Sequence, residues 1–104
     1  MNSIQTMKQV TPTELKKWIA SGKDFVLIDI REDWERERYN IGGRHIPLGD
    51  LIGRTNELPK DKDVVLYCEK GIRSVLAIQR LETLGFHNLI NLSGGMNSWK
   101  EQVG

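Results

Sequence analysis

Residues 64–74 read VVLYCEKGIRS, an apolar run followed by a short polar loop. The four apolar residues are uninterrupted, which is typical of a strand buried on both faces of a sheet. The sequence that follows has helical spacing from Ser74 to Leu84, with its apolar side chains at Val75, Ile78, Leu81 and Leu84. The loop begins at Cys68, the single cysteine of the chain, and is therefore predicted to join a buried strand to an amphipathic helix.

The same alternation of apolar runs and helical patterns continues on both sides of this stretch. Residues 25–28 (FVLI) and 89–92 (LINL) are apolar runs that predict two more buried strands. Residues 11–14 (TPTE) form a capping-box pattern that starts a helix, and Gly22 ends it. The other predicted elements are a helix at residues 33–39, a glycine-rich loop at 41–48, a weak helix between 50 and 58, a left-handed cap at Gly85 and a terminal helix after Gly94-Gly95. This alternation predicts an α/β fold, a small and mainly parallel sheet with helices on both faces.

Length and charge restrict the class of protein. The 104 residues suffice for one core, so a single domain over residues 1–104 is predicted. Lys and Arg number 15 and Asp and Glu 14, and the resulting charge of +1 gives no basic footprint for nucleic-acid binding. No apolar stretch approaches the roughly 20 residues that span a membrane, and the first residues lack a secretory-signal pattern. One cysteine allows no internal disulfide, so a cytoplasmic protein is predicted. The charge and the lack of a long apolar stretch predict neither a nucleic-acid nor a membrane partner.

The residues that follow Cys68 are predicted to form an anion-binding cradle. A turn this short directs several backbone N–H groups toward one point, and the next helix adds its unpaired N–H groups and positive dipole end. In a parallel sheet the ligand lies at the carboxyl ends of the strands, where Cys68 is placed. The cradle is predicted to favour the Cys68 thiolate over the thiol, and two candidate cations, Lys70 and Arg73, add to this effect. The negative charge of Glu69 partly opposes the cations.

Cys68 is predicted to be a reactive nucleophile rather than a structural residue. The alternative is that it is a small buried hydrophobe, as a lone cysteine at the end of a strand often is. The polar and doubly basic sequence after it favours reactivity, because a structural cysteine gives no reason for Lys and Arg to follow within five residues. The two histidines and one cysteine have no metal-ligand spacing, and neither a metal nor another cofactor is predicted.

Short motifs along most of the chain match the signature of one protein family. They are, in order, LIDIR at residues 27–31, EDWE at 32–35, HIP at 45–47, C-x-x-G-x-R-S at 68–74, LGF at 84–86 and GGMNSW at 94–99. By these motifs the chain resembles the rhodanese-like sulfurtransferases over residues 8–101.

The resemblance implies a sulfur-transfer reaction at Cys68. Its thiolate would accept a sulfane sulfur from a small sulfur-containing anion such as thiosulfate, or from a persulfidated protein donor. The sulfur would be held as a persulfide and passed to a thiol, to cyanide or to a protein acceptor. The substrate-binding residues implied by the resemblance are Glu69, Lys70, Gly71, Ile72, Arg73 and Ser74.

Two other functions are compatible with parts of this pattern. A persulfide-carrying or regulatory protein-binding module with little turnover would need the same cysteine and loop. A small phosphatase is disfavoured, because the phosphatases that share this fold resemble Cys-x5-Arg, whereas four residues separate Cys68 from Arg73 here. Residues 41–48 resemble the rhodanese domains fused to ubiquitin-like-protein activating enzymes more than the small single-domain members of the family. Those fused domains pass sulfur to a protein.

Several conspicuous polar residues are predicted to be structural supports. Asp29 follows an apolar strand, where an unpaired carboxylate would be costly, and is expected to accept hydrogen bonds from neighbouring loops. Arg31 is expected to pair with a carboxylate, and His45 to stabilise a glycine-rich turn. Residues 35–38 (ERER) are expected to form a solvated helix face. Three tryptophans are expected to pack in the core or at its rim: Trp18, Trp34 and Trp99.

Overall fold

Five strands form one sheet, and every pair of neighbouring strands is parallel. The computed structural model describes residues 7–104. Across the sheet the strand order is β1-β5-β4-β2-β3. The strands are β1 Lys8–Val10, β2 Val26–Asp29, β3 Arg44–His45, β4 Val64–Tyr67 and β5 Leu89–Leu92. The predicted α/β class with a parallel sheet is confirmed.

Four α-helices lie between successive strands, and a fifth follows β5. They are α1 Pro12–Ser21, α2 Asp33–Arg38, α3 Leu48–Leu51, α4 Ile72–Glu82 and α5 Gly95–Gln102, and a 3₁₀ helix at Ile52–Glu57 continues α3. The predicted capping box starts α1: the Glu14 N–H donates to Thr11 Oγ1 at 3.1 Å, and the Thr11 N–H donates to Glu14 Oε1 at 2.9 Å. None of the helices within residues 7–104 is long and apolar enough to cross a membrane.

Each face of the sheet carries its own apolar core. Strand β4 contributes to both, with Val64 and Leu66 in one core and Val65 and Tyr67 in the other. Because both faces of β4 are covered, its sequence has no polar alternation. The first core also takes side chains from α3 and α4, which include Leu51, Ala77, Ile78 and Leu81. The second takes side chains from α1 and α5, which include Leu15, Met96 and Trp99.

Strand β1 was not predicted from the sequence. It has three residues, KQV, of which only Val10 is buried. It lies at the sheet edge and pairs only with β5, with Gln9 opposite Asn91. A strand with one buried side chain has neither an apolar run nor a clear alternation, so the sequence contains no signal for it.

Helix α4 begins two residues earlier and ends two residues earlier than predicted. Gly71 precedes it with a positive φ of 84°, so Arg73 and Ser74 lie in its first turn. Leu84 lies beyond the helix and is 47% exposed, so its expected place on the apolar face is wrong. The predicted left-handed cap at Gly85 is present, and Phe86 donates its N–H back to the Leu81 carbonyl at 3.2 Å.

Candidate active site

Cys68 lies immediately after the central strand β4 and is fully buried. Its Sγ accepts hydrogen bonds from the Gly71 N–H at 3.1 Å and from the Ser74 N–H at 3.4 Å. The first N–H groups of a helix have no partner inside the helix. Gly71 has no side chain to cap α4, so the sulfur of Cys68 takes that role for the Ser74 N–H.

The loop around Cys68, residues 68–74, is held from behind by the first turn of α5. The Met96 N–H donates to the Cys68 carbonyl and the Asn97 N–H to the Glu69 carbonyl, both at 2.9 Å. Gly95 permits this approach, because a Cβ there would lie 2.5 Å from the Cys68 oxygen. The N–H of a trans peptide points away from its C=O, so the two peptide N–H groups that follow these carbonyls face away from α5.

Cys68 is fully buried, yet it is one of the residues that line a cavity of about 370 Å³, hereafter the Cys68 cavity. The cavity is lined by Glu35, Cys68, Glu69, Lys70, Ile72 and Arg73. Four of the six predicted substrate-binding residues therefore line it. The other two, Gly71 and Ser74, contact the sulfur directly through their N–H groups.

Arg73 faces the cavity but is paired with a carboxylate. Its two terminal nitrogens donate to Oε1 and Oε2 of Glu35, both at 2.8 Å. These hydrogen bonds lower the pKa of Glu35 to about 2 and raise the pKa of Arg73. The charge that Arg73 offers to Cys68 is therefore largely compensated, which the sequence did not indicate.

The other loop side chains point in different directions. Glu69 pairs with Arg31 at 3.2 Å and with Lys100 at 3.8 Å, so it turns away from the sulfur. Lys70 is exposed and forms no ion pair with any residue in the described range 7–104. Ile72 is 63% exposed at the rim. Lys70 is thus the uncompensated cation of this cavity among the described residues.

The three residues predicted as supports form one buried network behind the loop. Arg31 donates from Nε and Nη2 to the two carboxylate oxygens of Asp29, both at 3.0 Å, and from Nη2 to the Tyr39 carbonyl. His45 Nε2 lies 2.7 Å from the Arg31 carbonyl oxygen. These contacts tie the end of β2 to β3 and, through Glu69, to the Cys68 loop.

Glu35 was expected on a solvated helix face, and that expectation is wrong. The residue is 8% exposed, and its Oε1 also accepts the Glu32 N–H at 3.0 Å. Its neighbour Arg36 is half-buried and donates to Asp29 Oδ2 at 3.3 Å. The available signal was position, because a helix that follows β2 must turn part of its first turn toward the sheet edge where Cys68 lies.

A second set of polar residues reaches the sulfur from the opposite side. Ser74 Oγ lies 3.3 Å from Cys68 Sγ and donates a hydrogen bond to Asn91 Oδ1. Asn91 is a buried residue of β5, and its Nδ2 donates to Gln9 Oε1 at 2.9 Å. Asn91 was read only as part of an apolar strand, and the polar letter in LINL was the signal that could have singled it out.

A neighbouring cavity of about 310 Å³, the Trp34 cavity, adjoins the Cys68 cavity and shares Glu35 and Glu69 with it. Its walls also include Trp34, Arg38, Tyr39 and Lys100. Trp34 is 62% exposed, so it is a surface residue of this cavity rather than a core residue.

Comparison with known proteins assigns the arrangement to a family. The model of the rhodanese-like domain matches residues 11–102. The chain belongs to the rhodanese-like domain family. A sulfurtransferase of Allochromatium vinosum is 33% identical over 94 residues, which cover 89% of this chain and 88% of that protein.

Two further proteins are similar to this chain. A crystal structure of a rhodanese-like domain protein from Staphylococcus aureus has a TM-score of 0.82 and 30% identity, and the match covers 89% of this chain and 91% of that one. A Mycobacterium tuberculosis protein named "Probable adenylyltransferase/sulfurtransferase MoeZ" is 35% identical over 97 residues, 90% of this chain. The chain spans only 25% of that longer protein.

Proposed function

We propose that this rhodanese-like domain is a sulfurtransferase that carries sulfur as a persulfide on Cys68. In the first step the Cys68 thiolate attacks the outer sulfur of thiosulfate. A new S–S bond forms, the S–S bond of thiosulfate breaks, and sulfite leaves with the electron pair. In the second step an acceptor such as cyanide attacks the outer sulfur of the persulfide, thiocyanate leaves and the thiolate is restored.

The observation that carries this proposal is the pair of N–H groups directed at the sulfur. The donors from Gly71 and Ser74 lie 3.1 and 3.4 Å from Sγ at the start of α4. Preorganised N–H donors stabilise negative charge more than water does, because they need no reorientation when the charge appears. The thiolate of Cys68 is the charged species that fits this position.

The size of the loop supports a sulfur atom over a phosphate. The Gly71 N–H is already within hydrogen-bonding distance of Sγ, so the ring of donors is closed tightly around the cysteine. A tetrahedral phosphate would need its oxygens spread over a wider ring of donors.

The adjoining Trp34 cavity supports a donor or acceptor larger than thiosulfate. Sites for small molecules usually enclose about 300–1,000 Å³, and thiosulfate would occupy only part of the Cys68 cavity. Arg38 and Lys100 on its wall, with Lys70 on the wall of the Cys68 cavity, favour an anionic carrier. A persulfide whose sulfur enters at Cys68 and whose carrier group contacts Trp34 is the arrangement we propose.

The test is intact mass spectrometry of the protein after incubation with thiosulfate, followed by addition of cyanide. We expect a gain of one sulfur atom that cyanide removes, with thiocyanate formed in equal amount. The Cys68→Ser variant is the control and should gain nothing. Hydrolysis of an aryl phosphate without any uptake of sulfur would overturn the proposal. Stable uptake from donors without transfer to any acceptor would instead support a carrier module with little turnover.

A further inference from the structure

A buried chain of hydrogen bonds leads from Cys68 to the edge of the sheet. Ser74 Oγ lies 3.3 Å from the sulfur and donates to Asn91 Oδ1, and Asn91 Nδ2 donates to Gln9 Oε1 at 2.9 Å. Ser74 is fully buried and Asn91 is 3% exposed, whereas Gln9 is exposed on the edge strand β1. This chain of hydrogen bonds therefore has the Cys68 sulfur at one end and an exposed amide at the other.

The direction of these hydrogen bonds suits a protonated Cys68 thiol. The Ser74 hydroxyl has one proton, and it is donated to Asn91. Toward Cys68 the same hydroxyl can then only accept, which requires the S–H proton of a thiol. A thiolate or a persulfide has no proton to donate at that sulfur, so two acceptors would face each other across 3.3 Å.

The hydrogen bonds from Cys68 to Gln9 can all reverse their direction without leaving a donor or acceptor of this series unpaired. If the amides of Asn91 and Gln9 both turn over, the Gln9 amide donates to Asn91 Oδ1 and Asn91 Nδ2 donates to Ser74 Oγ. The hydroxyl of Ser74 then donates to Cys68 Sγ. Each amide group carries both a donor and an acceptor, so both directions are available to the same residues.

We propose that Asn91 and Gln9 are positioning residues that let Ser74 accept from the Cys68 thiol and donate to its thiolate or persulfide. Their importance for sulfur transfer rests on the proposed function, but their effect on the thiolate does not. A carboxylate at either position could only accept and an ammonium could only donate, and each would fix the chain in one direction.

Other groups also influence the Cys68 thiolate. The charged residues that surround it are Glu35 on α2, Arg73 on α4, Glu69 and Lys70 in the loop, and the Asp29–Arg31 pair at the end of β2. Within residues 7–104, none of these charged groups forms a hydrogen bond or ion pair with Gln9 or Asn91. A change at Gln9 therefore alters the direction of the chain while it leaves those pairs intact.

The test measures the rate of Cys68 alkylation by iodoacetamide as a function of pH. Gln9→Glu supplies a carboxylate that can only accept from Asn91, so it fixes the direction that suits the thiol. We expect alkylation at pH 7 to slow at least about fivefold, because the thiolate loses a hydrogen bond to a charged group. The matched control is Lys8→Gln on the same strand, which makes the same change in net charge. It should stay within about twofold, because exposed charges are screened by salt.

Two more measurements separate a directed chain from a merely structural one. Gln9→Met removes the outer amide without fixing a direction, so alkylation should slow less in this variant than in Gln9→Glu. In the parent, the side-chain amide resonances of Asn91 should shift with pH along the same curve as the alkylation rate, and in Gln9→Glu they should not.

Equal slowing in Gln9→Glu and Lys8→Gln, or no slowing in Gln9→Glu, would overturn the proposal. A protein that takes up no sulfur but shows the expected alkylation pattern would refute the proposed function and leave this inference standing.

Discussion

The sulfur of Cys68 serves the fold as well as the proposed chemistry. It accepts the Ser74 N–H, which the first turn of α4 would otherwise leave without a partner, and the Gly71 N–H that closes the loop. A serine oxygen at the same position can accept from the same two donors. The structural and chemical roles of this residue can therefore be separated by one substitution.

Cys68→Ser should abolish sulfur transfer and keep the fold. A hydroxyl cannot form a persulfide, so activity should fall below about one per cent of the parent, since loss of a nucleophile costs far larger factors in other enzymes. Thiocyanate formation measures the activity and far-UV circular dichroism the fold. Cys68→Ala, which has no acceptor for the two N–H groups, should in addition lose about 1 kcal/mol of stability. Persistent activity in Cys68→Ser would remove this residue from the mechanism.

Gly95→Ala should disrupt the packing of α5 against the Cys68 loop. The added Cβ would lie 2.5 Å from the Cys68 carbonyl oxygen and 2.7 Å from the Glu69 carbonyl, and the position has a φ of +60°. We expect a loss of about 3 kcal/mol or more, because overpacking alone costs about 1–3 kcal/mol. Gly53→Ala is the matched control, since a Cβ there meets nothing within 4 Å. Thermal unfolding of both variants is the measurement, and equal melting temperatures would contradict the predicted clash.

At the scale of elements, the ion pair between Glu35 and Arg73 joins α2 to α4 beside the cavity. The pKa of Glu35 falls from 4.5 to about 2 in the folded protein, mainly because Arg73 donates to it. A group whose pKa is lowered on folding stabilises the folded protein at pH values above the pKa that the group has in the unfolded state. That stabilisation is lost as the pH falls toward the folded-state pKa. The pair should therefore stabilise the domain fully above about pH 4.5 and progressively less down to about pH 2.

Glu35→Gln should reduce the dependence of the free energy of unfolding on pH between about pH 4.5 and about pH 2. The pKa change corresponds to roughly 3 kcal/mol, and because the Arg73 side chain is 35% exposed, solvent reduces it to about 1–2 kcal/mol. Urea unfolding at pH 6 and at pH 3 measures the difference for the parent and the variant. Exposed Glu37 of the same helix gives the control variant Glu37→Gln, which should keep the profile of the parent. The same fall in stability in parent and Glu35→Gln would show that this pair does not carry the pH dependence.

The length of the Cys68 loop should matter more than its side chains. One glycine inserted after Gly71 would move the N–H groups of α4 away from Sγ, where Ser74 N now lies at 3.4 Å. Losing one preorganised donor typically costs about 3 kcal/mol in catalysis, or roughly a hundredfold in rate. Sulfur transfer should fall by about that factor while secondary structure is kept. Unchanged transfer in the insertion variant would mean that the donor ring does not drive the reaction.

The elements that the sequence predicted well are those whose burial leaves a pattern. Strands β2, β4 and β5 are apolar runs because helices cover both faces, and α1 is marked by its capping box. The loop at Cys68 could be predicted because glycine and polar residues follow a buried strand. Strand β1 could not be predicted, because it depends on pairing with β5, more than thirty residues away in the sequence. The burial of Glu35 was marked only by its position after β2, because its partner Arg73 lies on another element. Asn91 was marked only by its polarity within an apolar run, since its partners lie on α4 and β1.

At the scale of the whole molecule, we expect the adjoining Cys68 and Trp34 cavities together to limit the size of the sulfur donor. Trp34→Ala should raise the KM for a glutathione persulfide donor by about tenfold, because it removes an exposed aromatic contact of the Trp34 cavity. The kinetics with thiosulfate should stay within about twofold, since that ion reaches only the Cys68 cavity. Steady-state kinetics with both donors test this, and Leu76→Ala, an exposed apolar residue of α4 that lines neither cavity, is the control. Equal effects on both donors would contradict a separate carrier subsite.

The support that α5 gives to the loop also sets the order in which the site is completed during synthesis. The N–H groups of Met96 and Asn97 hold the carbonyls of Cys68 and Glu69, yet they leave the ribosome almost thirty residues after the cysteine. Until then the sheet can collapse around β4, but the loop has no fixed orientation and its thiol no complete set of donors. We therefore expect the nascent chain to expose an ordinary cysteine, and the proposed reactive cysteine to form only when α5 docks.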